Sequence, residues 1–426
     1  MCQEKYKAYI NILREELVPA MGCTEPIAIA FTAAKAKETL GEVPERLEVG
    51  CSGNIVKNVQ GVVVPNSGGE KGIAIAAILG AVGGRSEDEL EVLSRIGPEC
   101  IQKAKALKEQ GYCHCSLVKG ISNLYIDITA YGKGESKARV VVSGTHTNIV
   151  LIEKDGKILF RKDESSSSED PLEEEKKLLN VHDIVSFANE VAVPDVEDII
   201  DRQIEYNMAI SEEGLTHNWG AQIGKTLSTY YGDGVKTRAK AAAAAGSDAR
   251  MSGCPLPVVI NSGSGNQGMT VSLPVITYAK ELNVPHEKLV RALVLSNLIS
   301  LLQKRYIGSL SAYCGAVSAG AGAGCGIAYL HDADEWVIEA TLTNTLAAVG
   351  GIVCDGAKPS CAAKIAASVD AAIMGFEMSY QNGKEYQPGE GLVKSDIEST
   401  VASFGKLGKE GMKSTDEEII SIMLEA

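Results

Sequence analysis

Cys354-Asp355-Gly356-Ala357-Lys358-Pro359-Ser360-Cys361 sets two thiols seven residues apart across a helix-breaking stretch, and a third, Cys314, lies 40 positions upstream. Gly356 and Pro359 let the chain turn, so that Cys354 ends one helix, Cys361 opens the next and both face one point. A helix N-terminus favours thiolate over thiol, and thiolate is the form that binds iron or zinc. Buried packing accounts for the same residues, because a free cysteine behaves as a small hydrophobe. The spacing is neither a tight CxxC pair nor a ferredoxin run.

Further clusters along the chain carry chemistry of their own. Asn261-Ser262-Gly263-Ser264-Gly265-Asn266-Gln267-Gly268 precedes an apolar segment, and exposed amides in such a loop suit a carboxylate or phosphate. The run from Tyr313 to Cys325 lacks side-chain bulk, which lets a cofactor or another helix approach the backbone. Ser247-Asp248-Ala249-Arg250 follows five alanines and puts a carboxylate and a guanidinium at a helix end, as a site or as a structural ion pair. His146 falls between two strands and serves as a base, a ligand or an ordinary loop histidine. Cys113-His114-Cys115 alternates along a strand, so the thiols share one face and the imidazole takes the other, which disfavours a shared metal. Cys2, Cys51, Cys100, Cys254 and Cys325 read as packing residues. Gly220 to Thr226 is one residue short of a nucleotide phosphate loop, and nucleotide hydrolysis is discarded.

The elements that must position these residues divide at the polar run RKDESSSSEDPLEEEKK, 161–177, which has no apolar periodicity. The expected organisation is an α+β domain over 1–165, an acidic linker or loop over 166–178, and a mostly all-α domain over 179–426. In the first part, helices are expected over 5–17 and from Thr24 to a stop at Gly41, with Cys23 at the N-terminus of the second. Leu47 to Pro65 is rich in Val and Ile and reads as extended. Leu124 to Ile128, Val140 to Val142, and a hairpin turning at Asp155-Gly156 continue the β pattern. Beyond the linker strand signals nearly vanish, and Leu289 to Leu302 reads as a buried central helix.

Composition narrows the function. Hydrophobic residues make up 45% of the 426 residues and aromatics only 5%, against 44 glycines, so helices must pack through small side chains. A formal net charge of -14 argues against nucleic acid or an anionic membrane as partner and favours a small molecule. No apolar run approaches the ~18 residues of a membrane span, and Met1 to Glu16 is polar rather than signal-like. With eleven cysteines, an odd number, the chain reads as cytoplasmic with reduced thiols. Assembly as a homo-oligomer is left open.

PAMGCTEPIAIA at 19–30, SGNIVKN at 52–58, SGSGNQG at 262–268 and GIVCDGAKPSCAAK at 351–364, taken in order, resemble the bacterial and archaeal L-cysteine desulfidase family. That family is itself similar to the iron-sulfur L-serine dehydratases, and the resemblance covers nearly the whole chain. It implies a [4Fe-4S] cluster held by three cysteines, with one iron open to act as a Lewis acid on a small amino acid. Cys314 and Cys354 match cluster thiols in both groups. For the third ligand the resemblance offers Cys361, by likeness to the dehydratases, or Cys23, by likeness to the desulfidases.

The dehydratases carry Ser-His-Thr where this chain has Cys23-Thr24-Glu25-Pro26, which favours a sulfur substrate. The resemblance further implies that Ser262, Ser264, Asn266 and Gln267 hold the substrate carboxylate. Thr24, Glu25, Asn54, Asn58, Asp248 and Arg250 complete the candidate binding set. The base is sought among Lys304, Lys358, His146 and whichever of Cys23 and Cys361 is not a ligand. The expected reaction is β-elimination from L-cysteine to pyruvate, ammonia and sulfide. Rival readings are a serine dehydratase, a pyridoxal-phosphate lyase and a non-catalytic sensor.

Overall fold

The computed structural model describes residues 1–162, 171–308 and 310–425. An N-terminal α/β region is followed by a mostly helical C-terminal region, as the sequence predicts. The strands are β1 (Pro19–Met21), β2 (Arg46–Cys51), β3 (Cys113–Leu117), β4 (Tyr125–Tyr131), β5 (Lys137–Ser143), β6 (Ile149–Lys154), β7 (Lys157–Arg161) and β8 (Pro257–Val259). The N-terminal helices are α1 (Gln3–Glu16), α2 (Thr24–Leu40), α3 (Gly53–Gln60), α4 (Ile73–Gly83) and α5 (Pro98–Glu109). Then follow α6 (Pro171–Lys176), α7 (Val181–Glu190), α8 (Glu197–Thr216), α9 (Ile223–Tyr230), α10 (Val235–Met251) and α11 (Gly265–Leu282). The chain closes with α12 (His286–Ile307), α13 (Gly315–Leu330), α14 (Glu335–Val349), α15 (Cys361–Asn382), α16 (Ile397–Lys406) and α17 (Lys413–Glu425).

The larger sheet runs β3-β2-β4-β5-β6-β7, parallel between β2 and β3 and antiparallel elsewhere. Alternation places Ile126, Ile128 and Ala130 of β4 on one fully buried face, against which α2 lies. Asp155 and Gly156 both take positive φ, 51° and 79°, as the tight hairpin between β6 and β7 requires. One expectation fails here. The extended reading of Leu47 to Pro65 holds only as far as Cys51, and Gly53–Gln60 is helical. Ile55 and Val59 recur at helical spacing and are fully buried, so packing of that face overrides the β preference of the residue types.

In the second half α13 lies at the centre, touching α11, α12, α14 and α15. Its Gly and Ala residues make this possible: a Cβ on Gly322 would stand 2.5 Å from the Ser296 carbonyl of α12. Two links join the halves: the helix expected over 5–17 is observed as α1, whereas the β1–β8 ribbon was not legible as strands. The three-residue β1 pairs antiparallel with β8, and α1 packs on the C-terminal half, where Tyr9 hydroxyl donates to the Leu178 carbonyl and its ring meets Phe187 edge-on. The expected linker falls partly on residues 163–170, outside the described residues, while Pro171–Lys176 within it is helical. Among the described residues no helix is long and apolar enough to cross a membrane.

Candidate active site

Helices α2, α11, α13 and α15 all begin at one small cavity of about 110 Å³. Cys23, Ser264 and Cys314 are the N-caps of the first three, and Cys361 is the first residue of the fourth. Each helix start presents unsatisfied N–H groups and about half a positive charge, so their convergence favours anions and thiolates.

Cys314 and Cys354 meet through an isolated antiparallel bridge between Tyr313 and Val353. Cys314 N–H donates to the Ile352 carbonyl at 2.9 Å, and Cys354 N–H to that of Ala312 at 2.6 Å. Cys354 therefore does not end a helix, as the spacing suggests; α14 stops at Val349 and the bridge sets the thiol instead. Gly356 follows at φ 91°, where a Cβ would collide with the Lys57 carbonyl at 2.2 Å. The neighbouring Cys314 thiol holds Cys354 well below an ordinary thiol in spite of burial, helped by the nearby Lys57 charge and the Gly356 N–H. Cys314 is pushed up by the Cys354 thiol beside it and by burial. Cys361 is raised by burial and feels the charge of Cys354. Burial brings Lys304, on the same cavity wall, down to about 8, against the pull of Cys354 and Cys314.

A second group faces these thiols. Cys23 Sγ donates to Glu25 Oε2 at 2.9 Å, and Asn58 Nδ2 to Glu25 Oε1 at 2.9 Å. Burial and the Glu25 carboxylate raise the Cys23 thiol well above its usual range, so it stands protonated. Burial alone would raise Glu25, but His146 and the Cys23 thiol outweigh it and hold the carboxyl at about 2. His146 Nε2 is 3.9 Å from Glu25 Oε1, beyond hydrogen-bond reach. Arg250, 2% exposed, gives one hydrogen bond to Asn266 Oδ1 at 3.1 Å, while its Nε and the nearby Gln267 Oε1 have no partner. Buried polar atoms of that kind mark a place for a polar ligand.

Of the residues singled out in the sequence, Cys23, Glu25, Asn58, His146, Arg250, Ser262, Ser264, Asn266, Gln267, Lys304, Cys314, Cys354 and Cys361 line this cavity. Thr24 does not, but its hydroxyl ties α2 to the Gly263 carbonyl at 2.8 Å. Lys358 is drawn into its own loop, donating to the Asp355 and Gly356 carbonyls. Asn54 lies in a separate groove and donates to Asp416 at 2.7 Å. Asp248 makes no ion pair with Arg250. Two residues apart on α10, the side chains diverge, and Asp248 accepts the Gly224 N–H at the start of α9, its carboxyl raised by burial to about 6. That bond also occupies the short phosphate-loop lookalike. Sequence reasoning passed over Tyr313, whose buried hydroxyl has no partner at the cavity wall, and Lys57. Lys57 is paired with Asp416 and reaches the Cys354 carbonyl at 3.4 Å. Its place inside SGNIVKN was the available signal.

Buried thiols, a buried guanidinium and converging helix starts from both halves line one cavity, and the family match makes the chain an enzyme of the serine dehydratase-like type. Residues 87–421 match the family model described as the serine dehydratase alpha chain, and the chain belongs to that family. It is 52% identical to a UPF0597 protein of Lachnoclostridium phytofermentans over 98% of this chain and 100% of the relative. A UPF0597 protein of Desulfitobacterium hafniense is 52% identical over 98% and 97%, and one of Finegoldia magna 47% identical over 98% and 100%.

Proposed function

We propose that this protein is an iron-sulfur-dependent lyase that converts L-cysteine to pyruvate, ammonia and hydrogen sulfide by β-elimination. The observation that carries the reading is the meeting of Cys314, Cys354 and Cys361 in a cavity that also holds the partly unpaired Arg250. An all-sulfur donor set with a depressed thiolate suits iron and sulfide better than a hard cation. Cys314, Cys354 and Cys361 would hold the [4Fe-4S] cluster. Cys23, protonated and tied to Glu25, belongs to the substrate side instead. When bound there, the cluster supplies an iron without a protein thiolate, a Lewis acid toward the substrate's β-substituent.

The chain's own residues do the rest. Arg250, Gln267 and the N–H groups at the start of α11 take the α-carboxylate, and the ionised Glu25 takes the ammonium. Lys304, neutral in part near pH 8, accepts the α-proton. The released aminoacrylate hydrolyses to pyruvate and ammonia. Cys23-Thr24-Glu25 in place of the dehydratases' Ser-His-Thr supports a thiol substrate, since soft sulfur prefers such an iron. The family description favours a second reading, in which L-serine loses water at the same site.

The deciding experiment is anaerobic reconstitution with iron and sulfide, followed by pyruvate and sulfide release from L-cysteine and L-serine. Products from cysteine alone support the desulfidase, and pyruvate mainly from serine makes the protein a dehydratase. Silence of cluster-replete protein with both would overturn the enzyme reading in favour of a sensor. Parallel Cys23→Ala and Cys361→Ala variants settle the third ligand, because only loss of a ligand lowers the bound iron per chain.

A further inference from the structure

We propose that Cys113 and Cys115 form a dithiol that a small-molecule disulfide oxidises to an intrachain disulfide at the outer edge of the large sheet. The inference is independent of the site described above. β3 is the terminal strand of its sheet and pairs with β2 alone. Residues two apart on a strand share a face, and here the two Sγ atoms stand 3.8 Å apart. In the parallel register Cys113 lies beside Leu47 and Cys115 beside Val49, both 1% exposed, so the pair stands beside an apolar row. The strand's outer position leaves Cys115 exposed and Cys113 half-buried. His114 takes the other face of the strand.

The pair is chemically unequal. Cys115 is held below an ordinary thiol by the hydrogen bond from Cys113, against burial, and Cys113 is raised by that bond and by burial. The exposed sulfur is thus also the nucleophilic one. Its thiolate attacks one sulfur of a disulfide RSSR, forming a mixed disulfide and releasing RS⁻. The Cys113 sulfur then attacks Cys115 Sγ and expels the second RS⁻, and the two thiol protons leave on two RSH. The protein loses two electrons and RSSR gains them.

Geometry sets the character of the product. Alternate Cα atoms on a strand are about 6.4–6.8 Å apart, at the upper end of the roughly 4.4–6.8 Å that a disulfide spans. A bond closed there is strained, and strained disulfides are the easily reduced ones. The pair is therefore a reversible modification site, a dithiol in reducing surroundings.

The test exposes reduced protein, without oxygen, to graded oxidised glutathione, followed by acid quench, alkylation and peptide mapping. The peptide spanning Cys113 and Cys115 should lose both alkylation sites together, with a mass lower by two hydrogens and no adduct. Dithiothreitol should restore it. Cys113→Ser should trap one glutathione on Cys115, and Cys115→Ser should leave Cys113 largely unmodified at the same exposure. The proposal is overturned if the peptide stays doubly alkylated while exposed Cys2 becomes glutathionylated. It is equally overturned if both cysteines carry separate adducts, or if the pair resists alkylation only because it holds a chelator-removable metal ion.

Discussion

Two hollows lie side by side in this molecule, and the smaller one is the site proposed for the chemistry. The groove of about 1020 Å³ between the β3–β4 connection and α17 shares Leu310 and Ser311 with the cavity of about 110 Å³. Most of its charged residues sit near solvent, as in the Lys413–Glu410 pair, and its buried Asp416 is paired with Lys57. The cavity instead gathers the thiols of Cys314, Cys354 and Cys361, a guanidinium with an unpartnered nitrogen and the starts of α2, α11, α13 and α15. Space alone recruits nothing; buried groups held short of full pairing, with dipoles aimed at them, prepare a site for an anion.

Cys354→Ala attacks the contrast at its strongest point. Reconstituted variant should lack cluster absorbance and lose turnover by about 10³-fold or more, the Lewis-acid contribution going with the ligand. Retained activity would break the assignment of the small cavity. Lys304→Met should lower kcat by about 10²- to 10⁴-fold. Because a base works deprotonated, wild-type kcat should climb as pH rises through about 8, and the variant should lose that climb.

Arg250→Met removes the charged partner proposed for the carboxylate, a loss of about 1.5–3 kcal/mol. KM should rise roughly 10- to 150-fold, with kcat less affected. Lys409→Ala, on the exposed groove side, should leave stability within about 0.5 kcal/mol and turnover unchanged; a large loss there would put chemistry in the groove after all.

The parts of the site that the sequence displayed are those built from near neighbours. Gly356 and Pro359 announce the turn before Cys361, and Ser264 announces α11. The single bridge that brings Tyr313 to Val353 leaves no local pattern, since it joins residues 40 apart without a strand. The Glu25–Asn58–His146 group is equally hidden, each member coming from a different element. Local reading also erred where a short-range bond claims a side chain, as the loop carbonyls do with Lys358 and the start of α9 with Asp248. In the fold, β4 to β7 were legible from alternation and the Asp155-Gly156 turn, whereas α3 was masked by its Val and Ile content and β1 and β8 by their length.

The pairing of β1 with β8 bears on how the chain can be dissected. Cys23 and Glu25 follow directly from β1, and the loop of Ser262 to Asn266 follows directly from β8, so one short ribbon fixes both proposed substrate-side walls relative to each other. A gene cut in the acidic stretch yields two polypeptides that each lack half of the ribbon and half of the site. Expressed together, they have a built-in reason to find one another, and regained turnover would serve as the readout of that reunion.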